Sequence, residues 1–354
     1  MMFLSGKSFF FLCFIFLLLR VIKSDHVHLL NDEFLAVENP FYCIRESFIY
    51  FRNEVYKICI HKGEGMDSKL NIYIQKKREN LWEVQTELFQ DSRKTKLPSF
   101  FSYVVDEEMI IIFCEITGYE VKRKFDCTRS VSSTGIDFKT EKVVLPYDLM
   151  KNKNITFYSS APFSFTNHKY LLICGIYNSA LKSPKQGNFI NCAGSNDKGL
   201  NWKTKFLFHY DNIEDYTTYF LLKPKIHDNK LGFFFNYVSS SGESGKYIEC
   251  EHKSNQDFNC KDVDFIKKDK ALRDVIKVND YYITSYANKN SSAVCYLYYS
   301  NENSLLLKPR NTGEDYIGCY RGTFMKLDGN KILFMYSSGN GIYNLYTFRP
   351  NSYA

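Results

Sequence analysis

Proline is sparse in this chain, eight in 354 residues, and no low-complexity block interrupts it. No linker divides it. Beyond the N-terminus no apolar run approaches the ~20 residues a membrane helix needs. No segment keeps a 3.6-residue apolar stripe for long, which argues against a helical protein. Charge of one sign is never massed. The longest clusters, Lys76-Lys77-Arg78 and Lys267-Lys268-Asp269-Lys270, are too short to mean more than solvated turns. The formal net charge is +7, which is too mild for a nucleic-acid binder with a basic face. Seven histidines are scattered, and none pairs with a cysteine at zinc spacing. His26-Val27-His28 reads as a solvated end. The glycines of Gly63-Glu64-Gly65 and Gly339-Asn340-Gly341 belong to turns, with no phosphate-cradling loop after either. No cofactor, metal or nucleic-acid partner is expected.

The one long apolar run, Phe9 to Leu19, follows Lys7 and precedes Arg20 to Ser24. This is the order of a secretory signal, so residues 1–24 read as a signal peptide. The mature chain is then residues 25–354, with a net charge of +4 once Lys7, Arg20 and Lys23 are gone. The tail lacks the hydrophobic stretch of a lipid-anchor signal. A secreted chain without membrane insertion is expected, held at any surface only by partners.

Aromatic residues make up 17% of the chain, mostly Tyr and Phe, a composition that suits strands. Six short apolar or aromatic runs recur: Tyr56 to Ile60, Met109 to Cys114, Tyr170 to Cys174, Leu231 to Tyr237, Tyr281 to Tyr286 and Ile332 to Tyr336. Polar turns precede many of them, so each reads as a buried strand. A second strand and a polar hairpin follow most of them. Units of this size with about four strands are propeller blades. The predicted fold is therefore all-β, a six-bladed β-propeller with about four antiparallel strands per blade in one domain. A pair of β-sandwiches is the competing pattern. The stretches near residues 180–190 and 238–246 read as insertions. The segment from Asp25 to Phe34 is placed to lend a strand to the last blade, near Gly341 to Phe348.

Of eleven cysteines, Cys13 leaves with the signal. The other ten admit roughly 900 pairings. Short spacings repeated from end to end favour nearest neighbours: Cys43–Cys59, Cys114–Cys127, Cys174–Cys192, Cys250–Cys260 and Cys295–Cys319. Such bridges staple local hairpins and leave no nucleophilic thiol. Asn154-Ile155-Thr156 and Asn290-Ser291-Ser292 are candidate glycosylation sites at Asn154 and Asn290.

Ser195-x-Asp197-x-Gly199-x-Asn201-Trp202 is similar to the Asp-box of sialidase-like propellers, with Asn201 in place of the usual Ser or Thr. Asp197 is suited to accept turn N–H groups, Gly199 to a positive φ, and Trp202 to packing under the hairpin. In that family the box marks the fold and lies away from catalysis. A working sialidase also needs an arginine cluster, a tyrosine nucleophile with its glutamate, and a carboxylic acid. The early Arg-Ile-Pro motif of those enzymes is absent. The corresponding region reads Phe41-Tyr42-Cys43-Ile44-Arg45-Glu46. No catalytic residue is expected.

Several segments in order carry a closer resemblance: Cys43-Ile44-Arg45, Ile74 to Lys77, Leu172 to Gly175, Asn301 to Ser304 with Lys308-Pro309, Gly318 to Tyr320 with Gly322 to Phe324, and Tyr336 to Ser338 with Gly341 to Asn344. Over essentially all of residues 25–354 the chain resembles the cysteine-rich protective antigens of malaria parasites. The resemblance implies a sialidase-like six-bladed propeller without enzymatic activity, with intra-blade disulfides in the first five blades. It implies release from an apical secretory organelle, the microneme, and display at the parasite surface through partners. It further implies an adapter, monomeric outside its complex, in the erythrocyte-invasion assembly of the merozoite. Its partners would be an EGF-rich interacting protein and, in some species, a reticulocyte-binding-protein homologue. The alternative is a sialidase-like lectin that binds sialylated glycans on the host cell.

Overall fold

The computed structural model describes residues 30–40, 43–63, 70–91, 96–117, 124–145, 156–157, 161–177, 189–210, 218–227, 229–239, 242–265, 270–278, 281–288, 291–299, 305–307, 322–338 and 342–349. After a first strand, β1 (Leu30–Glu38), the strands fall into groups of four. Blade 1 is β2 (Arg45–Phe51), β3 (Glu54–Lys62), β4 (Leu70–Arg78) and β5 (Leu81–Asp91). Blade 2 is β6 (Lys96–Val105), β7 (Glu108–Thr117), β8 (Lys124–Ser132) and β9 (Lys139–Val143). A two-residue strand, β10 (Thr156–Phe157), leads to blade 3: β11 (Phe163–Phe165), β12 (His168–Tyr177), β13 (Phe189–Ser195) and β14 (Thr204–His209). Blade 4 is β15 (Thr218–His227), β16 (Lys230–Ser239), β17 (Gly242–Ser254) and β18 (Asp257–Asp262). Blade 5 is β19 (Lys270–Val278), β20 (Tyr281–Asn288), β21 (Ser291–Tyr299) and β22 (Leu305–Leu307). Blade 6 has β23 (Thr323–Lys326), β24 (Ile332–Ser338) and β25 (Ile342–Arg349) from the end of the chain, and takes β1 as its fourth strand.

All six recurrent runs of the sequence lie in second strands: β3, β7, β12, β16, β20 and β24. The reason is burial on both faces. Successive side chains of a strand point to opposite sides, and a blade has a neighbour on each side. Ile110 and Ile112 pack with Leu171 and Ile173 of blade 3, while Met109, Ile111 and Phe113 pack with Ile58 and Ile74 of blade 1. A strand with two apolar neighbours has no place for polar alternation, so the run is continuous. The same logic yields six apolar clusters, one at each interface between blades. The sixth, with Val37, Trp82, Leu333 and Tyr343, lies between blade 6 and blade 1 and closes the ring.

Closure places the N-terminal strand slightly later than the sequence suggests. It is Leu30–Glu38 that pairs antiparallel with Ile342–Arg349. The reading of 238–246 as an insertion is corrected. Leu231 and Cys250 are cross-strand partners of a long hairpin, β16–β17, and their pairing continues to Ser239 and Gly242. Gly232 lets that hairpin pack, because a Cβ there would meet the Tyr247 hydroxyl at 2.4 Å and the Ile248 carbonyl oxygen at 2.8 Å.

Candidate functional site

The first strands of blades 1, 2, 4, 5 and 6, with Ala161 ahead of β11, face a common axis and enclose a cavity of about 350 Å³. Its wall has two chemistries. Phe48, Ile49, Ser102, Tyr103 and Val104, from β2 and β6, form an uncharged side. Lys223, Lys225 and His227 of β15, Lys277 of β19 and Lys326 of β23 form a cationic one. Lys223, Lys225 and His227 alternate along β15, which puts all three on one face. Pro224 is tolerated between them because, among the described residues, β10 pairs with the outer side of β15 only at Leu221 and Leu222 and leaves that side open at Pro224.

Beneath the lysines lies Asp274 of β19, fully buried. Its carboxylate meets Lys225 Nζ at 2.8 Å and Lys223 Nζ at 3.7 Å. Its Oδ2 also accepts the Phe324 backbone N–H at 2.9 Å and the Thr323 hydroxyl at 3.2 Å. Lys223 donates to Thr323 Oγ1 at 3.3 Å. One carboxylate thus ties together the first strands of blades 4, 5 and 6. Burial alone would raise its pKa, but Lys223, Lys225 and the Phe324 N–H outweigh that and hold it below the ordinary value. Burial brings Lys223 down to about 8. His227 falls to about 3, first from burial and then from Lys225, Lys277 and Lys326. The imidazole is therefore neutral among cations.

No arginine is among the described residues that line the cavity. The two lining tyrosines are directed elsewhere. Tyr103 donates its hydroxyl to the Leu172 carbonyl at 2.7 Å, and its pKa is raised by burial. Tyr50 donates to Asp328 at 3.3 Å, with a pKa raised by burial and by that carboxylate. Arg45 begins β2 and is not among the lining residues. No group of three or more potential metal ligands occurs among the described residues.

The Asp-box residues form a hairpin of blade 3, away from the axis. Asp197 Oδ1 accepts from Ser195 Oγ at 2.7 Å and from the Asn201 N–H at 2.8 Å. Its Oδ2 accepts from Asn201 Nδ2 at 2.7 Å, so Asn201 supplies two bonds where the usual residue is a hydroxyl. Gly199, at φ +85°, donates its N–H to Ser195 Oγ, and its carbonyl accepts from Trp202 Nε1 at 2.9 Å. Trp202 is buried in the cluster between blades 2 and 3. Blade 2 grips the hairpin from outside: Arg129 Nε donates to the Lys198 carbonyl at 2.6 Å, and Lys198 pairs with Glu108 at 2.7 Å. The box is an interblade clasp.

Four disulfides are intra-blade. Cys43–Cys59 joins the lead-in of blade 1 to β3, Cys114–Cys127 joins β7 to β8, and Cys174–Cys192 joins β12 to β13. Cys250–Cys260 joins β17 to β18, the third and fourth strands of its blade. Cys295 is disulfide-bonded. Cys319, Asn154, Asn290, His26, His28 and residues 1–24 lie outside the described residues.

The family model CyRPA, described as the Cysteine-Rich Protective Antigen 6 bladed domain, matches residues 35–345. The chain belongs to this family. No curated protein matches it in sequence. Among solved structures it is similar to the hemagglutinin-neuraminidase ectodomain of parainfluenza virus 5, at 8% identity and TM-score 0.57, over 92% of this chain and 86% of that one. It is also similar to Trypanosoma rangeli sialidase in complex with sialic acid, at 9% identity and TM-score 0.52, over 91% of this chain and 59% of that one. Identities this low establish a shared sialidase-like propeller fold and nothing of activity. The cationic axial wall had no place in the sequence reading. Its signal was the Lys-x-Lys-x-His alternation of β15, together with the Arg273-Asp274 pair between the apolar residues Ala271-Leu272 and Val275-Ile276.

Proposed function

We propose that the chain is a non-enzymatic, secreted adapter of an erythrocyte-invasion complex of the parasite, bridging an EGF-rich interacting protein and, in some species, a reticulocyte-binding-protein homologue. Membership of the cysteine-rich protective antigen family over residues 35–345 carries the reading. The axial cavity supports the non-enzymatic part. Where a sialidase needs arginines and an activated tyrosine, the described lining supplies lysines anchored on a buried aspartate, and tyrosines with raised pKa values. The adapter part draws support from construction. Local disulfides and six interblade clusters make a rigid body, and a rigid surface binds without an ordering cost.

The test is surface plasmon resonance of the oxidised mature chain against the EGF-rich protein, with sialylated glycans and a reduced, alkylated control alongside. Saturable protein binding that disappears on reduction is the expected result. Glycan binding without protein binding would make the chain a lectin and end the adapter reading.

A further inference from the structure

The axial cavity has an imbalance that the clasp around Asp274 does not absorb. Lys223 and Lys225 converge on that carboxylate. Lys277 reaches Glu249 only at 3.7 Å and lies over the Tyr282 ring at 5.1 Å. Lys326 has no ion-pair partner among the described residues and is solvent-exposed. His227 Nε2 is buried and has no hydrogen-bond partner among the described residues. A buried imidazole nitrogen without a partner is costly, and cations in a low-dielectric recess concentrate their field on whatever enters.

We propose that this cavity binds a small phosphate monoester, its dianionic head held by Lys277, Lys326 and His227 and its uncharged body lying against blades 1 and 2. The charge favours a dianion, because four lysines face two carboxylates, Asp274 and Glu249, among the described groups. Lysines suit such a head as point charges that need no planar match. A neutral imidazole that carries its proton on Nε2 completes the set as a donor. The opposite wall, with Phe48, Ile49 and Val104, offers no charge and accepts an apolar or aromatic body. A cavity of about 350 Å³ holds roughly ten waters at liquid density, which is room for more than a bare phosphate ion.

The site is tested by NMR of the oxidised mature chain with ¹⁵N-labelled histidine, titrated separately with inorganic phosphate, phenyl phosphate and N-acetylneuraminate, and with isothermal calorimetry in parallel. The expected result is a saturable shift of the His227 signals with both phosphates and none at His209 or His252. Phenyl phosphate should bind at least threefold tighter than the inorganic ion, because only it uses the uncharged wall. Lys326→Ala, a surface change that should leave the melting temperature unaltered, is expected to weaken both phosphates about three- to tenfold. A silent His227 at millimolar phosphate, an equal response at His209 and His252, or unchanged affinity in Lys326→Ala would each overturn the proposal. A response to N-acetylneuraminate alone would do so too, by moving the site to sugar carboxylates. These probes contain no partner protein, so the outcome is independent of the adapter reading.

Discussion

Asp274 and Lys57 are single buried charges with opposite consequences. Asp274 is surrounded by donors from two other blades, so removing its charge leaves Lys223 buried without that carboxylate. Asp274→Asn should cost about 3–5 kcal/mol, read as a lower urea midpoint at an unchanged m-value. Lys57 sits fully buried on β3, its Nζ 4.3 Å from the Tyr343 ring centroid and 4.9 Å from that of Trp82. Burial lowers its pKa to about 7, against an opposing pull from Glu46. Lys223 is brought to about 8. Both values lie below the 10.5 of an exposed lysine, so between those limits the unfolded chain binds more protons than the folded one. Stability therefore rises as pH climbs from about 7 towards 10, and is lost as it falls back through that window. Melting temperatures taken from pH 7 to 9.5 should climb. In Lys57→Met the climb should be shallower, and an identical slope in the variant would remove Lys57 as its source.

Elements were legible in the sequence where physics made them one-dimensional. The second strand of each blade is apolar on both faces, so Met109 to Cys114 and Tyr170 to Cys174 announce themselves without any knowledge of their neighbours. The Asp-box is as plain, because its bonds span only four residues or fewer. The first strands were harder to read. Lys223, Lys225 and His227 look like a solvated strand until four other first strands bring their own faces to the axis, and Asp274 acquires its partners from segments 49 to 51 residues away in sequence. The long β16–β17 hairpin was mistaken for an insertion because Gly242, Ser244 and Gly245 read as loop residues, whereas Gly245 lies close to the Leu272 carbonyl of blade 5. Local elements also have local costs. Asp197→Ala removes the acceptor of three hydrogen bonds and should cost ~1–3 kcal/mol. Hydrogen exchange should quicken at Gly199 to Trp202 more than in blade 5, and a uniform change would contradict the clasp. Replacing Cys114 and Cys127 with serine opens a loop of 13 residues, worth ~3 kcal/mol in the chain-entropy model. The faster exchange should centre on β7 and β8.

The whole molecule depends on a seam that no single blade provides. Blade 6 is complete only when β1 crosses from the start of the chain to lie beside β25, with Leu35 opposite Leu345 and Val37 opposite Tyr343. The same strand touches blade 1, where the Glu38 N–H donates to the Asn80 carbonyl at 2.7 Å. Trp82 of blade 1 packs edge-on against Tyr343 of blade 6, and the Tyr343 hydroxyl donates to the buried Glu46 of β2. Across this junction the ring therefore has an apolar cluster, a buried hydrogen bond and a shared strand, but no disulfide among the four whose pairing is described. The covalent staples hold individual blades, and the seam is left to packing. A chain that begins after Glu38 should lose β1, expose the Leu333 and Leu345 faces and uncover the β25 edge, a template for association. The expected outcome is a chain with all its intra-blade disulfides intact but a lower melting temperature, an increased radius in small-angle scattering and a tendency to form dimers. A synthetic peptide of residues 30–38 added in trans should restore part of the lost stability by refilling the edge. A truncated chain that melts and scatters like the full one would show that blades 1 and 6 hold each other without the crossing strand, through direct contacts such as Trp82–Tyr343, Tyr343–Glu46 and Tyr50–Asp328.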